Sequence, residues 1–240
     1  MRVVRDVSRR QAIAGFGGVT IAALIAACSD DDEPPRGVET SEATTSTVEA
    51  PTRASELVDR FDKAARCTQT AELTEGPFYF EVDKVRSDIR EDREGMPLHL
   101  GIRVRDADPC TPIRNAVVDV WHCDAEGSYS PESETYLRGL QVTNKDGIVE
   151  FTTVYPGWYP GRTVHIHAKV HLDKETVLTT QLYFDDKVSA RVYLDDPYPG
   201  ESNRDGFNAT DPLYRKELEL TLSRARDSYL GLITLDVARA

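Results

Sequence analysis

Basic residues are scarce in this chain of 240 residues. Lysine and arginine total 29 against 41 aspartates and glutamates, which gives a formal net charge of −12. So acidic a chain offers little to a phosphate backbone, and we expect no nucleic-acid partner. The sequence also lacks internal repeats, heptads and a glycine-rich phosphate loop. With 40% hydrophobic residues, it fits one globular domain plus some unstructured sequence.

Long hydrophobic runs are missing too. Residues 12–27 form an apolar run rich in alanine and glycine, shorter than the ~20 residues that a bilayer core requires. The run follows Arg9 and Arg10 and ends at Cys28, which is the layout of an export signal. The arginine pair resembles a twin-arginine signal, and residues 25–28 resemble a bacterial lipobox. We therefore expect export, with a lipid on Cys28 anchoring the protein to the outer face of the cell membrane. An uncleaved membrane anchor is the alternative.

The chain divides into three parts by composition. Residues 1–28 are the predicted export signal. Residues 29–55 are acidic or rich in serine, threonine and proline, with almost no large apolar side chain, so we expect a disordered tether. Residues 56–240 carry the patterned sequence and form the predicted folded domain.

Cysteine is limited to four residues, of which Cys28 is assigned to the lipid. In an oxidising compartment, the other three allow one disulfide and leave one free thiol. A predicted strand separates Cys110 from Cys123 and should hold them apart. Cys67 is therefore expected to pair with one of these two, and the sequence leaves open which.

Hydrophobic residues alternate with polar ones along much of the predicted domain, and this alternation predicts strands. Only residues 55–66 have a helical pattern, with a turn near 186–193. Many short strands between Gly and Pro turns indicate an all-β fold, an antiparallel β-sandwich with a short N-terminal helix and long loops around the site. The predicted strands are 98–105, 116–122, 148–154, 163–172, 177–184, 217–222 and 229–237.

Two histidines occupy alternate positions of one predicted strand. His165 and His167 project from the same face about 6.6 Å apart, so both could bind one metal ion. A solvated strand face would explain such a pair equally well. The preceding loop, residues 156–162, is stiff and aromatic and presents Tyr159, which either reaches the same metal or packs under the loop. A second loop, residues 121–130, presents Tyr129.

Two tyrosines and two histidines would make an unusual ligand set. Phenolate is a hard, anionic, electron-donating ligand that suits ferric iron. Zinc prefers histidine, cysteine and carboxylate, and blue copper requires cysteine with histidine. The donor set therefore predicts non-haem Fe(III).

Six stretches together resemble the intradiol ring-cleavage dioxygenases, the family of the protocatechuate and catechol enzymes. They follow the family's order at close to its spacing and cover about half of the chain. The stretches are 73–79 (LTEGPFY), 116–122 (AVVDVWH), 127–129 (GSY), 138–143 (RGLQVT), 156–162 (PGWYPGR) and 164–167 (VHIH).

The resemblance implies a catalytic β-sandwich over residues 56–240 and a role for each matching side chain. The implied ferric ligands are Tyr129, Tyr159, His165 and His167. Tyr159 is also implied as a base, and Arg162 and Gln181 as residues that steer the substrate and the developing charge. The implied substrate-pocket residues are Gly76, Pro77, Tyr79 and Trp158. The implied reaction cleaves a catechol with dioxygen, between the two hydroxyl-bearing carbons, to a cis,cis-muconate.

Some features depart from the cytoplasmic and protocatechuate members of that family. The segment between Tyr159 and His165 is short, Trp158 stands where a smaller residue is common, and the long helical dimerisation domain is missing. Substrate size and oligomeric state are therefore left open, a homodimer included, as is the role of the residues after Pro197. The export signal resembles that of a secreted branch, which would act on extracellular phenolics.

Two other functions compete with a dioxygenase. A non-catalytic extracellular sandwich that binds glycan or protein shares several of these turns but needs neither the histidine pair nor Tyr129. A zinc hydrolase would require a carboxylate base, for which Asp124 and Glu126 are the candidates in the second loop.

Overall fold

The computed structural model describes residues 53–61 and 67–238. The predicted export signal, and the predicted tether up to residue 52, lie outside the described residues. Helix α1 spans Arg53–Phe61, so it begins two residues before the expected start. No helix within the described ranges is both long and apolar enough to span a bilayer.

Within the described residues, eight strands form two four-stranded sheets. The strands are β1 (Pro97–Asp106), β2 (Val117–Trp121), β3 (Arg138–Val142), β4 (Ile148–Val154), β5 (His165–Leu172), β6 (Glu175–Tyr183), β7 (Thr221–Arg224) and β8 (Tyr229–Val237). Sheet A has the order β3-β2-β5-β6 and sheet B the order β4-β1-β8-β7. A second helix, α2, spans Asp186–Val192, and a 3₁₀ turn spans Lys216–Leu218.

The predicted all-β sandwich is confirmed, with one departure from antiparallel pairing. Strand β1 pairs with β8 in parallel, Leu98 opposite Tyr229, whereas the other pairs of named strands are antiparallel. Strand β3 was not among the predicted strands. The turn expected near 186–193 is helix α2, whose first amides are capped by the Asp185 carboxylate.

The strand predicted over 217–222 is wrong in its first half. Residues there form the 3₁₀ turn, and β7 begins only at Thr221. The chain crosses between the sheets at this point: Leu220 N–H donates to Tyr183 O at the edge of sheet A, and Thr221 then pairs with Leu232 in sheet B. Leu218 and Leu220 are buried because they bridge the two sheets, and this produces an alternation like that of a strand.

The core lies between the inner faces of the sheets, where apolar side chains are removed from water. Ile166, Ala168 and Val170 of β5 are fully buried and belong to this core, as do Leu98 and Ile102 of β1. Because alternate residues of a strand face opposite sides, His165, His167 and Lys169 lie on the outer face of sheet A.

The segment before β1 connects the two sheets. Leu57 and Phe61 of α1 pack on Ile148 and Leu232, on the outer face of sheet B. The Cys67–Cys110 disulfide follows, which settles the pairing that the sequence left open and leaves Cys123 as a buried free thiol. The chain then reaches sheet A, where Leu73 N–H donates to Thr179 O.

Candidate metal centre

Four side chains from one strand and two loops bring their polar atoms together on the outer face of sheet A. Tyr159 Oη lies 3.1 Å from His165 Nε2, which lies 3.1 Å from His167 Nε2, which in turn lies 3.1 Å from Tyr129 Oη. Donor atoms about 3 Å apart match ligands that share one ion at roughly 2 Å. A cluster built from histidine, cysteine and carboxylate alone is not found among the described residues, so a metal site here depends on the tyrosines.

The histidines are held by the sheet. His165 Nδ1 lies 2.7 Å from Thr163 O and donates to this carbonyl, so the lone pair of Nε2 points to the cluster. His167 stacks on Trp121 of β2, with ring centroids 4.8 Å apart and planes within 7°. His167 Nδ1 is buried and has no hydrogen-bond partner within the described part of the chain. Both imidazoles therefore have fixed ring orientations.

The tyrosines are held by two loops that touch through their backbones. A Cβ atom on Gly127 would lie 2.2 Å from Trp158 O, and one on Gly157 would lie 2.3 Å from Ala125 O. Gly157 N–H also donates to Asp124 O at 2.9 Å. These contacts require glycine at both positions and place the rings of Tyr129 and Tyr159 edge to face, 5.8 Å between centroids.

Burial opposes charge on all four side chains in the absence of a cation. Burial, and then the positive Arg162, lower the pKa of His165 to about 3. The pKa of His167 is also well below its ordinary value, through burial and its neighbour His165. Burial raises the pKa values of Tyr129 and Tyr159. Neutral imidazoles suit metal binding, and buried phenolates require a compensating positive charge, so the four residues fit a ferric ion.

The structure brings Arg162 and Gln181 together beside the cluster. Arg162 Nη2 donates to Gln181 Oε1, and Gln181 Nε2 donates to Thr74 O at 2.9 Å. Arg162 Nε donates to Asp211 Oδ2 at 2.8 Å, and the same oxygen accepts from Thr163 N–H. Burial alone would raise the pKa of Asp211, but these hydrogen bonds outweigh it and lower that pKa. The Arg162 guanidinium is therefore held in a fixed orientation by a buried carboxylate.

Sequence reasoning missed Asp211. The residue lies 49 positions after Arg162, in the stretch after Pro197 whose role was left open. No local motif marks it, since the two residues meet only through the fold.

The predicted pocket residues occupy different places around the cluster. A Cβ on Gly76, whose φ is +72°, would meet His167 Cε1 at 3.2 Å. Pro77 follows directly. Trp158 donates its indole N–H to Gly200 O at 2.8 Å. Tyr79 lies over Trp121, 4.7 Å between ring centroids, and not over a tyrosine ligand candidate. The pocket prediction missed Phe78, which stacks on Tyr129 at 4.5 Å and is 44% exposed.

The carboxylates required by a zinc hydrolase do not converge on the cluster as a base would. Asp124 Oδ1 accepts hydrogen bonds from the amides of Glu126 and Ser128, at 3.0 and 2.8 Å. Asp124 therefore shapes the loop that carries Tyr129, and Glu126 is an exposed residue of the same loop.

Comparison with known proteins shows the class to which this fold and site belong. Residues 74–197 match the family model described as Dioxygenase. Over 72% of its length, the chain is 33% identical to a solved intradiol ring-cleavage dioxygenase from Tetranychus urticae, covering 95% of that chain with a TM-score of 0.66. The chain therefore belongs to the intradiol ring-cleavage dioxygenase family, an oxidoreductase family.

Further relatives support the same assignment. The dioxygenase domain of a carbohydrate-binding fusion protein from Streptomyces sp. SirexAA-E is 29% identical, with 72% of this chain and 100% of that chain covered and a TM-score of 0.59. Chlorocatechol 1,2-dioxygenase of Rhodococcus opacus is 31% identical over 146 residues, which are 48% of this chain and 56% of that protein. The chain spans about half the length of the curated relatives it matches. Family membership argues against a non-catalytic binding module.

Proposed function

We propose that this protein is a non-haem ferric dioxygenase that opens catechol rings between the two hydroxyl-bearing carbons, using dioxygen and giving cis,cis-muconates. The convergence of Tyr129, Tyr159, His165 and His167 beside Arg162 is the observation that carries the proposal. When bound, ferric iron would supply a Lewis acid to which a catecholate binds as a chelating ligand, and this would activate the catecholate ring toward dioxygen.

Tyr159 is assigned the role of base. Its phenol is partly buried and belongs to the loop that leads into β5. Because burial raises the pKa of Tyr159, its side chain is a neutral phenol in the metal-free protein, and it would be a phenolate when it binds the ferric ion. In this proposal the phenolate oxygen of Tyr159 takes the proton of a catechol hydroxyl and becomes a phenol, and the loop keeps this oxygen near His165.

Arg162 and Gln181 are assigned the stabilisation of negative charge on the substrate. The Asp211 carboxylate fixes the guanidinium of Arg162, so little reorganisation is needed when charge develops beside it. Gln181 accepts from Arg162 and donates to Thr74 O, and this links the arginine to the segment that contains Gly76.

The proposal includes a substrate range. Two of the cations around the cluster already have carboxylate partners: Arg162 pairs with Asp211, and Lys169 pairs with Glu75. Arg138 donates to Ser130 and Phe78 through Nε and Nη2. Its Nη1 has no hydrogen-bond partner among the described residues, but the Arg138 side chain is buried and so is closed to a substrate carboxylate. A carboxylate on the catechol ring would be costly to bury without a free cation. We therefore propose catechol and substituted catechols as substrates, with no strong preference for protocatechuate.

The site of action is proposed from the sequence of residues 1–28. A lipid on Cys28 would place the enzyme on the outer face of the cell membrane, where it would meet extracellular phenolics. The acidic composition supports solubility in that compartment.

Oxygen uptake by the iron-loaded full chain tests this function. We expect uptake with catechol and alkyl catechols, together with the ultraviolet absorbance of a muconate. A preference of ~100-fold for protocatechuate, equal to about 2.7 kcal/mol, would contradict the proposed substrate range. Products of cleavage outside the two hydroxyl-bearing carbons would contradict the proposed reaction.

A further inference from the structure

A segment before β1 lies across the outer face of sheet A and touches two of the four clustered side chains. We call residues 73–80 the strap. Gly76 of the strap lies against the imidazole of His167, and Phe78 stacks on Tyr129 with planes within 15°. The position of the strap therefore decides how closely one side of the metal centre is enclosed.

Hydrogen bonds hold the backbone of the strap at both ends. Leu73 N–H donates to Thr179 O at 2.8 Å, and Thr74 O accepts from Gln181. At the far end, Phe78 O accepts from Arg138 Nη2 at 2.8 Å. In the middle of the strap, Gly76 N–H donates to Thr74 Oγ1 at 3.1 Å, a bond within the strap itself that does not tie it to sheet A.

A buried lysine reaches the strap on both sides of this middle part. Lys169 follows His167 by two residues on β5 and faces the same side of sheet A. Its Nζ atom lies 2.6 Å from Glu75 Oε2 and 3.4 Å from the centroid of the Tyr79 ring. A single ammonium therefore makes an ion pair with Glu75, the residue before Gly76, and a cation–π contact with Tyr79.

The surroundings of Lys169 make these contacts more than a surface ion pair. The Lys169 side chain is 10% exposed, whereas the side chain of Glu75 is 49% exposed. A lysine this buried requires a partner, because an unpaired ammonium away from water is costly. Tyr79 in turn packs on Trp121 of β2, with ring centroids 4.7 Å apart, and Asp119 of the same strand stands opposite Lys169. The strap is thus fixed to the two strands that carry His167 and Trp121.

We propose that Lys169 is a positioning residue of the catechol site: through Glu75 and Tyr79 it holds the strap so that Gly76 stays against His167 and Phe78 against Tyr129. The role of the strap as a pocket wall rests on the proposed function. Lys169 is not assigned a contact with substrate. Loss of the ion pair should loosen the wall and weaken substrate binding, and should change the chemical step little.

Four variants of the full chain test this proposal. Glu75→Gln removes the charge at a half-exposed position without a change of shape, and urea unfolding of the variant checks that it remains folded. Lys169→Met removes the ammonium, and Lys169→Arg keeps a cation there. Lys145→Met is the matched control, since Lys145 pairs with Asp146 at 2.9 Å at an exposed site in the turn before β4.

The first readout is hydrogen exchange of the strap amides in metal-free protein. We expect faster exchange in Glu75→Gln and Lys169→Met, and no change in Lys145→Met. The second readout is steady-state kinetics of the iron-loaded protein with catechol. In Glu75→Gln and Lys169→Met, KM should rise roughly 3- to 10-fold, while kcat changes less than about 2-fold. In Lys169→Arg, which keeps the cation, KM should stay close to the wild-type value.

Each result bears on the proposal. Exchange and KM of Glu75→Gln equal to those of the wild type would overturn it, as would a fall in kcat with KM unchanged. If the wild type does not consume oxygen with catechol, the proposed function fails. The exchange measurement then decides the position of the strap by itself: faster exchange supports the role of Lys169, and unchanged exchange contradicts it.

Discussion

His165 and His167 are carried by one strand, whereas Tyr129 and Tyr159 are carried by two loops, and different contacts fix the two pairs. The histidines take their positions from the register of sheet A, which sets Trp121 and Gln181 on either side of His167. The tyrosines take theirs from loops that meet backbone to backbone at Gly127 and Gly157. The histidine pair should therefore respond to changes in sheet A, and the tyrosine pair to changes at the contact between the two loops.

Removal of a strand-borne donor should have the largest effect. His165→Ala deletes one imidazole and leaves the loops in place, so we expect loss of iron and of turnover. The loss should exceed the 10–100-fold in metal affinity that removal of an outer hydrogen-bond partner costs. Tyr129→Phe should also lose iron, and with it the colour that tyrosinate bound to ferric iron gives the protein, but to a smaller extent. Iron content per chain and the visible absorption of both variants measure the difference. Equal iron content in His165→Ala and wild type would remove His165 from the centre.

Arg162→Leu should separate charge stabilisation from iron binding. We expect iron and colour to be kept and kcat to fall on the order of 10²-fold, about 2.7 kcal/mol, because a fixed donor near the developing charge is lost. Arg105→Leu is the matched control in sheet B, where Arg105 and Asp236 form a pair of similar burial at 2.8 Å. That control should lower stability without changing turnover of the folded protein. Unchanged kcat in Arg162→Leu would place Arg162 outside the site.

Two glycines with similar backbone conformation can test the loop contact. Gly127 has φ +84° and no room for a Cβ, whereas Gly161 has φ +81° and no atom within 4 Å of such a Cβ. Gly161→Ala should therefore cost about 1 kcal/mol from backbone strain alone, and Gly127→Ala should cost more than ~2 kcal/mol. Only Gly127→Ala should also reduce iron content, since it pushes Trp158 and Tyr159 away. Urea unfolding and metal analysis compare the two, and equal results would mean that the loops do not depend on this contact.

The smallest expected effect concerns how the stability of the metal-free protein depends on pH. The histidine pair should act on the acid side and the tyrosine pair on the alkaline side. Burial lowers the pKa of His165 to about 3 and that of His122 to about 4, against 6.5 for an ordinary histidine. The unfolded chain thus binds more protons below pH 6.5, and stability falls as the pH drops from 6.5 to 5, by up to about 2 kcal/mol per histidine. Asp119 opposes this trend, because burial raises its pKa to about 7.

The tyrosines should act only on the alkaline side. The pKa values of Tyr129 and Tyr159 are raised by burial, so the folded state keeps protons that the unfolded chain loses near pH 10. Stability should then fall as the pH rises through this range. Urea unfolding of metal-free wild type and His165→Gln across pH 5–11 measures both limbs. His165→Gln should reduce the loss of stability below pH 6.5 and leave the loss near pH 10 unchanged. A change confined to the alkaline side would contradict the assignment of the acid-side loss to His165.

Much of the fold could be predicted because the alternation of apolar and polar residues along a strand reflects which side chains are buried. The predicted bounds of β4 and β8 agree with the structure, and β1 differs by one residue at each end. The prediction for 217–222 was wrong because Leu218 and Leu220 are buried between two sheets and do not extend one. The partner of Cys67 could not be chosen, since it depends on how the loop containing Cys110 lies in space.

The candidate site was predictable to a different degree for each kind of residue. Strand periodicity places His165 and His167 on one face, whereas the two tyrosines were identified by loop motifs and a family resemblance. Asp211, Phe78 and Lys169 could not be found in this way. Asp211 meets Arg162, and Phe78 meets Tyr129, only after distant segments pack together. Lys169 lies on the predicted strand face, but its ion pair with Glu75 depends on the path of the strap.

The visible absorption spectrum of the purified full chain, recorded with its metal content, tests the central claim most directly. Tyrosinate bound to ferric iron absorbs visible light, so the account predicts a wine-red protein with about one iron per chain. Tyr129→Phe should weaken the band. A colourless wild-type protein that contains stoichiometric zinc would contradict the assignment of these four residues to a ferric centre.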